Sequence, residues 1–196
     1  MVAFVTTLAD LRAAADRIRG LVHRTPLLTS ATLDRELGAR IVAKCENLQK
    51  VGAFKARGAC NAVMALDAAA AKRGVITHSS GNHGAALAWA ARARGIACVV
   101  VMPDSAPKVK VDAVRGYGAE VVSCKAAERD AVSARLQAER GMTMVHPFEN
   151  PFVIAGQGTA ALEVLEDVPD LDAIITPVGG GGLCGFLGLA VALGLC

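Results

Sequence analysis

The sequence predicts an α/β fold built on doubly wound parallel sheets, and three observations predict it. Short β-branched runs alternate with helix-like segments from Gly74 to His146. Alanine and glycine are abundant while aromatics make up only 4% of the 196 residues, which suits helices packed closely on a sheet. Two tight turns, Ser79 to Gly84 and Gly179 to Gly182, each lie between an apolar run and a helix-like segment, where chains of this class bind ligands.

The elements follow in order. Thr7 and Asp10 make a capping box for a first helix, whose stripe is Leu8, Leu11, Ala15, Ile18 and Val22. Gly20 and Pro26 end it, and His23 to Leu27 is extended, with His23 as a packing or capping residue. A short helix over Ser30 to Leu37 stops at Gly38, and Ile41 to Cys45 alternates as a strand. One helix is expected from Ala56 to Ala71. Strands are expected at 75–78, 97–102, 119–123 and 143–146, with helices over 84–94, 108–117 and 128–140 between them. Asn150 to Val168 reads as a helix broken around Gly156 and Gly158. A last strand, 172–178, leads through four glycines into a last helix. Residues 74–149 then form a small α/β domain, and 1–73 with 150–196 a discontinuous larger one. Too few elements remain to complete that second domain.

Composition excludes several functions. The net charge of +3 is modest, and no basic block or aromatic platform marks a nucleic-acid surface. Val178 to Cys196 carries no charge, but its run of glycines after a strand reads as a loop and a buried helix rather than a membrane span. No signal peptide is visible. The six cysteines form no CxxC pair and sit mostly in apolar segments, so they read as reduced core thiols of a cytoplasmic protein, with no metal site.

The chemistry points to Lys55. It stands between Phe54 and a small residue, in Gly52-Ala53-Phe54-Lys55-Ala56-Arg57-Gly58, where a loop enters a helix. A lysine there is ordinarily a solvated cation. The two turns change that reading, because both are suited to cradle anions. A nucleophilic amine with a phosphate site and a carboxylate site is what pyridoxal phosphate chemistry requires. Gly180, Gly182 and Gly185 also satisfy GxGxxG, which keeps a dinucleotide fold open, but the turn comes late in the chain.

The lysine loop, THSSGNHG, MVHPFENP, VIAGQGT and PVGGGG stand in the order and spacing found in fold-type II pyridoxal-phosphate enzymes. From His23 to the end the chain resembles their threonine/serine dehydratase and serine racemase branch. The resemblance implies a tryptophan-synthase-β-like architecture, its small domain complete and its large domain partial. It implies Lys55 as the Schiff-base lysine and the base for the Cα proton, with Phe54 packed near the ring. Asn82 would meet the ring's phenolic oxygen. Ser79, Ser80, Asn82 and His83 would hold the substrate carboxylate. Gly179, Gly180, Gly181, Gly182 and Leu183 would form the phosphate cup. Ser80 stands where plain dehydratases commonly have alanine and racemase-like members have serine, so it is also a candidate proton donor on the face opposite Lys55. Val51 replaces the threonine common before this lysine motif. The group facing the pyridine nitrogen, and the carboxylates that hold a divalent cation in racemase-like members, lie past the glycine cup in relatives and have no counterpart here.

The implied activity is β-elimination of a hydroxy amino acid, serine or threonine, to a 2-oxo acid and ammonia, by a homodimer. Serine racemisation with side dehydratase activity is the alternative within the family. A reading of another class is an inactive fragment that binds a partner through an apolar, unfinished domain. Binding of pyridoxal phosphate separates these.

Overall fold

The computed structural model describes residues 6–181 and 183. The capping box forms as expected: Thr7 Oγ1 accepts from the Asp10 amide at 3.2 Å, and Asp10 accepts in return from the Thr7 amide at 2.9 Å. It starts helix α1 (Leu8–Ile18), which buries Leu11, Ala14 and Ile18. Strand β1 (Leu27–Thr29) pairs antiparallel with β2 (Val42–Lys44) across α2 (Ala31–Leu37). Ser30 caps α2 and Gly38 ends it in the left-handed conformation.

The lysine helix is shorter than expected. Helix α3 (Lys55–Met64) stops, and α4 (Ala68–Arg73) starts anew with Asp67 as its cap, accepting from the Ala70 amide at 2.7 Å. High helix propensity across the alanines hides this break, and the aspartate marks it.

Four parallel strands follow, in the spatial order β5-β4-β3-β6: β3 (Val75–His78), β4 (Cys98–Pro103), β5 (Glu120–Cys124) and β6 (Thr143–Met144). Helices α5 (Asn82–Arg94), α6 (Lys108–Gly116) and α7 (Arg129–Arg140) connect them. Alternation along the strands feeds two cores. Val75, Val100 and Met102 pack with the alanines of α5 and with Val114 of α6. Ile76, Val99 and Val101 pack with Leu136 of α7. Both faces of the sheet are covered, the doubly wound arrangement expected from sequence.

Helix α8 (Pro151–Asp167) corrects the expected break: it runs unbroken through Gly156 and Gly158. A side chain at Gly156 would place its Cβ 2.6 Å from the Arg57 carbonyl oxygen and 2.8 Å from Gly58 Cα, and one at Gly158 would overlap Leu11. Gly156 lets the α3 backbone lie against α8, and Gly158 makes room for the Leu11 side chain of α1. The expected strand at 172–178 is not formed; no described strand lies beside it to supply the ladder. The expected last helix and Gly182 lie outside the described residues.

Among the described residues, Cys45, Cys60, Cys98 and Cys124 are free thiols, and burial pushes those of Cys60 and Cys98 up to about 12. No described helix is long and apolar enough to cross a membrane. No described cluster of three His, Cys, Asp or Glu side chains suits a metal ion.

Candidate active site

Lys55 is the first residue of α3, and burial lowers its amine pKa from the ordinary lysine value. The amine donates to the Pro147 carbonyl at 2.8 Å and stands 5.2 Å from the centroid of the Phe54 ring. Its charge is felt at His83, in the first turn of α5, so the lysine loop and the Ser-Ser-Gly-Asn-His turn meet in space.

That turn is built to receive an anion. Ser79 Oγ accepts from the Gly81 amide at 3.2 Å. Helix α5 then opens at Asn82 with no side-chain cap and no acid in its first turn. Its first N–H groups and the positive end of its dipole are thus available to a carboxylate. The Ser80 hydroxyl and the Asn82 amide make no hydrogen bond to any described residue.

His83 contributes in another way than its side chain suggests in sequence. The ring is 3% exposed, and its Nε2 lies 3.0 Å from the Val145 carbonyl oxygen. A carbonyl only accepts, so Nε2 carries the proton and Nδ1 is a lone pair without a partner. Burial is the main cause that drives the ring's pKa down to about 4. A neutral ring whose one donor is engaged has nothing to offer a carboxylate. What His83 brings to the turn is its backbone N–H.

The segment after β6 joins the parts. Val145 holds His83 and Pro147 holds Lys55. The Phe148 ring lies against Gly180, where any side chain would overlap it, and Gly181 adopts a positive φ of 80°. Both positions therefore require glycine. Phe148 also meets the His146 ring edge-on at 4.6 Å, and His146 meets His78 edge-on at 5.3 Å. His78 ends β3, and the two histidine rings pack with Phe148 in one aromatic row.

Phe54 and Leu183 both line a cavity of about 470 Å³ between β2, α8 and residues 171–177, which none of Lys55, Ser80 and Asn82 lines. The expected cofactor set is therefore split: Phe54 and Leu183 line this cavity, and Lys55, Ser80 and Asn82 do not.

The residues present fit pyridoxal phosphate: a desolvated amine suits its aldehyde, a glycine turn suits its phosphate, and an uncapped helix N-terminus suits the carboxylate of an amino-acid substrate. Sequence reasoning gave no role to Val145, Pro147 or Phe148, although the MVHPFENP motif marked the segment. It also passed over Arg57, which no local pattern distinguishes from a surface arginine.

The family described as "Pyridoxal-phosphate dependent enzyme" matches residues 18–194. The serine racemase of Dictyostelium discoideum is 52% identical over 90% of this chain and 55% of its own length. The beta-hydroxyaspartate dehydratase of Paracoccus denitrificans is 50% identical over 92% of this chain and 58% of its own. The chain thus spans little more than half the length of these relatives. The crystal structure of the Dictyostelium serine racemase superposes with a TM-score of 0.93 at 50% identity, covering 96% of this chain and 62% of that one.

Proposed function

Given that the chain belongs to the pyridoxal-phosphate-dependent enzyme family, we propose that it carries the lysine side of a serine/threonine dehydratase active site, an ammonia-lyase that eliminates water from a hydroxy amino acid. The observation that carries this reading is the desolvated Lys55 amine, held at the Pro147 carbonyl next to an uncapped helix N-terminus.

When bound, the cofactor supplies an electron sink that acidifies the Cα proton of the amino acid. Lys55 holds the cofactor and then takes that proton at Nζ, a task suited to an amine whose pKa is lowered toward neutrality. The N–H groups that open α5, with Ser79, Ser80 and Asn82, would hold the substrate carboxylate, and Asn82 would also hold the cofactor's ring hydroxyl. Gly179–Gly182 with Leu183 would take the phosphate, and Phe54, its ring 5.2 Å from the Lys55 amine, would pack near the cofactor ring. The β-hydroxyl leaves, and hydrolysis yields the 2-oxo acid and ammonia. Serine racemisation is the alternative, with the free hydroxyl of Ser80 as the donor on the face opposite Lys55.

The reading extends to organisation. Residues 74–149 form the substrate domain, around the four-stranded sheet, and 1–73 with 150–196 form the cofactor domain, around α1, α3 and α8. Exposed Leu28, Leu33, Leu37 and Leu48 support a homodimer, and buried free thiols support a cytoplasmic setting. The test is to supply pyridoxal phosphate and L-serine, L-threonine or 3-hydroxyaspartate in turn and to measure 2-oxo acid and D-amino acid. Oxo acid from one of them supports the lyase. D-serine at a matching rate favours the racemase. Absence of cofactor binding leaves a fragment whose function is to bind a partner.

A further inference from the structure

Arg57 sits in the first turn of α3, with its side chain 0% exposed. A cation near a helix N-terminus opposes the helix dipole, and burial alone would lower its pKa; instead its hydrogen bonds to Glu46 and Glu163 raise it. Its Nε and Nη2 donate to the two Glu46 oxygens at 2.9 and 2.8 Å. Its Nη1 and Nη2 donate to the two Glu163 oxygens at 2.7 and 2.9 Å. Weaker bonds reach Thr159, the His23 carbonyl and Thr25. Lys44 meets Glu163 at 2.6 Å, so two cations balance two carboxylates.

The pairing with Glu46 closes a loop. Residues 46 to 57 leave the ion cluster and return to it, and Lys55 lies inside that loop. So does Val51, the only described residue other than glycine with a positive φ, at 55°. A β-branched residue is strained there, and such strain persists only where the surroundings over-determine the backbone. Glu163 then fastens the closed loop to α8, next to the glycine crossing that joins α8 to α3.

We infer that Arg57, with Glu46 and Glu163, is a positioning residue: the forked ion pair closes the 46–57 loop over the strained Val51 and thereby holds Lys55 at the orientation the cofactor needs. The inference rests on the reading of Lys55 as the cofactor lysine. Ionic replacement by a single-point cation does not satisfy it, because a lysine cannot fork to both carboxylates.

The test uses the full chain without substrate. Pyridoxal phosphate is added, borohydride quenches the sample at timed intervals, and peptide mapping follows label at Lys55. Amide hydrogen exchange is read over 50–56 and over 156–159 in the same proteins. Arg57→Lys and Glu46→Gln are expected to label Lys55 ~10- to 100-fold more slowly, the scale of an ångström-level misplacement. Exchange is expected to accelerate in 50–56 and to stay unchanged in 156–159. Glu46→Gln keeps the shape of the side chain and one accepting oxygen, so it decides the matter should Arg57→Lys fail to fold. Wild-type labelling at Lys55 with equal rates in folded variants overturns the positioning role and leaves the lysine reading standing. Exchange that accelerates equally in both segments shows a merely structural cluster and also overturns it. No label at Lys55 in the wild type overturns the lysine reading itself, and the inference with it.

Discussion

The lysine loop and the Ser-Ser-Gly-Asn-His turn lie close enough for Lys55 to act on His83, and they treat polar groups in opposite ways. Around Lys55 the buried charges are engaged, and the exception among polar groups is the amide of Gln157, buried beside Gly58 without a partner. Arg57 alone makes seven hydrogen bonds, and Gln49 grips the His23 backbone in both directions. At the turn polar groups are left open: Ser80 and Asn82 side chains have no described partner, and Thr77 Oγ1 and His83 Nδ1 are buried without one. The lysine side ties its charges to one another. The turn leaves the Ser80 hydroxyl and the Asn82 amide free, and the unpaired atoms buried beside it cost stability.

The largest break in this comparison is Lys55→Ala. It should abolish both the reducible pyridoxal adduct and turnover, with the circular dichroism spectrum and melting curve unchanged. A mutant that still forms the adduct at wild-type yield places the cofactor elsewhere.

The next concerns the open side. His83 stays neutral when folded, with a pKa of about 4 against an ordinary 6.5. The unfolded chain therefore binds a proton that the folded chain refuses, and stability falls as pH drops from 6.5 towards 4. The loss from this one group is on the order of 3 kcal/mol. Urea titrations across that range should show the slope, and His83→Gln should flatten it. A ring resonance titrating near 6.5 in the folded protein would contradict the buried, Nε2-protonated state.

The closed side is probed by Gly156→Ala. The added methyl meets the Arg57 carbonyl and Gly58, and no flexible side-chain end stands there to move away. Overpacking at a helix crossing should cost about 1–3 kcal/mol and lower the melting temperature. An unchanged melt would mean that α3 and α8 separate easily, and Lys55 would then lack a rigid base.

The smallest structural effect is expected from Ser80→Ala. Its hydroxyl touches no described residue, so stability should be unchanged. If the hydroxyl donates the proton opposite Lys55, the variant loses conversion of L- to D-serine and keeps elimination. Solvent deuterium at Cα of D-serine reads this directly, and equal racemisation rates remove Ser80 from the mechanism.

These contrasts explain what was legible in sequence. Caps are local chemistry, so Thr7, Asp10, Ser30 and Gly38 could be read in advance, as could the valine-rich strand β4. The turn before α5 was legible because an anion site at a helix N-terminus is made from consecutive residues. Contacts between distant segments were not. Gly156 and Gly158 read as helix breakers until α3 and α1 were seen against them. The strand expected at 172–178 needed a neighbour that no described residue supplies. Arg57, Glu46 and Glu163 look like three unrelated surface charges along the chain, and only the crossing of α3 with α8 and the 46–57 loop makes them one cluster. The side chain of His83 was assigned to the ligand, whereas its ring belongs to the core and its backbone to the turn.

The central claim is that one amine out of the chain's lysines is set apart by burial and orientation. Its most direct test is to add a slight molar excess of pyridoxal phosphate, reduce with borohydride, digest and map. The account predicts one pyridoxyl group, on the peptide that contains Lys55, with an absorbance band that borohydride removes. Label spread over exposed lysines such as Lys108, Lys110 and Lys125, or no label at all, would contradict it.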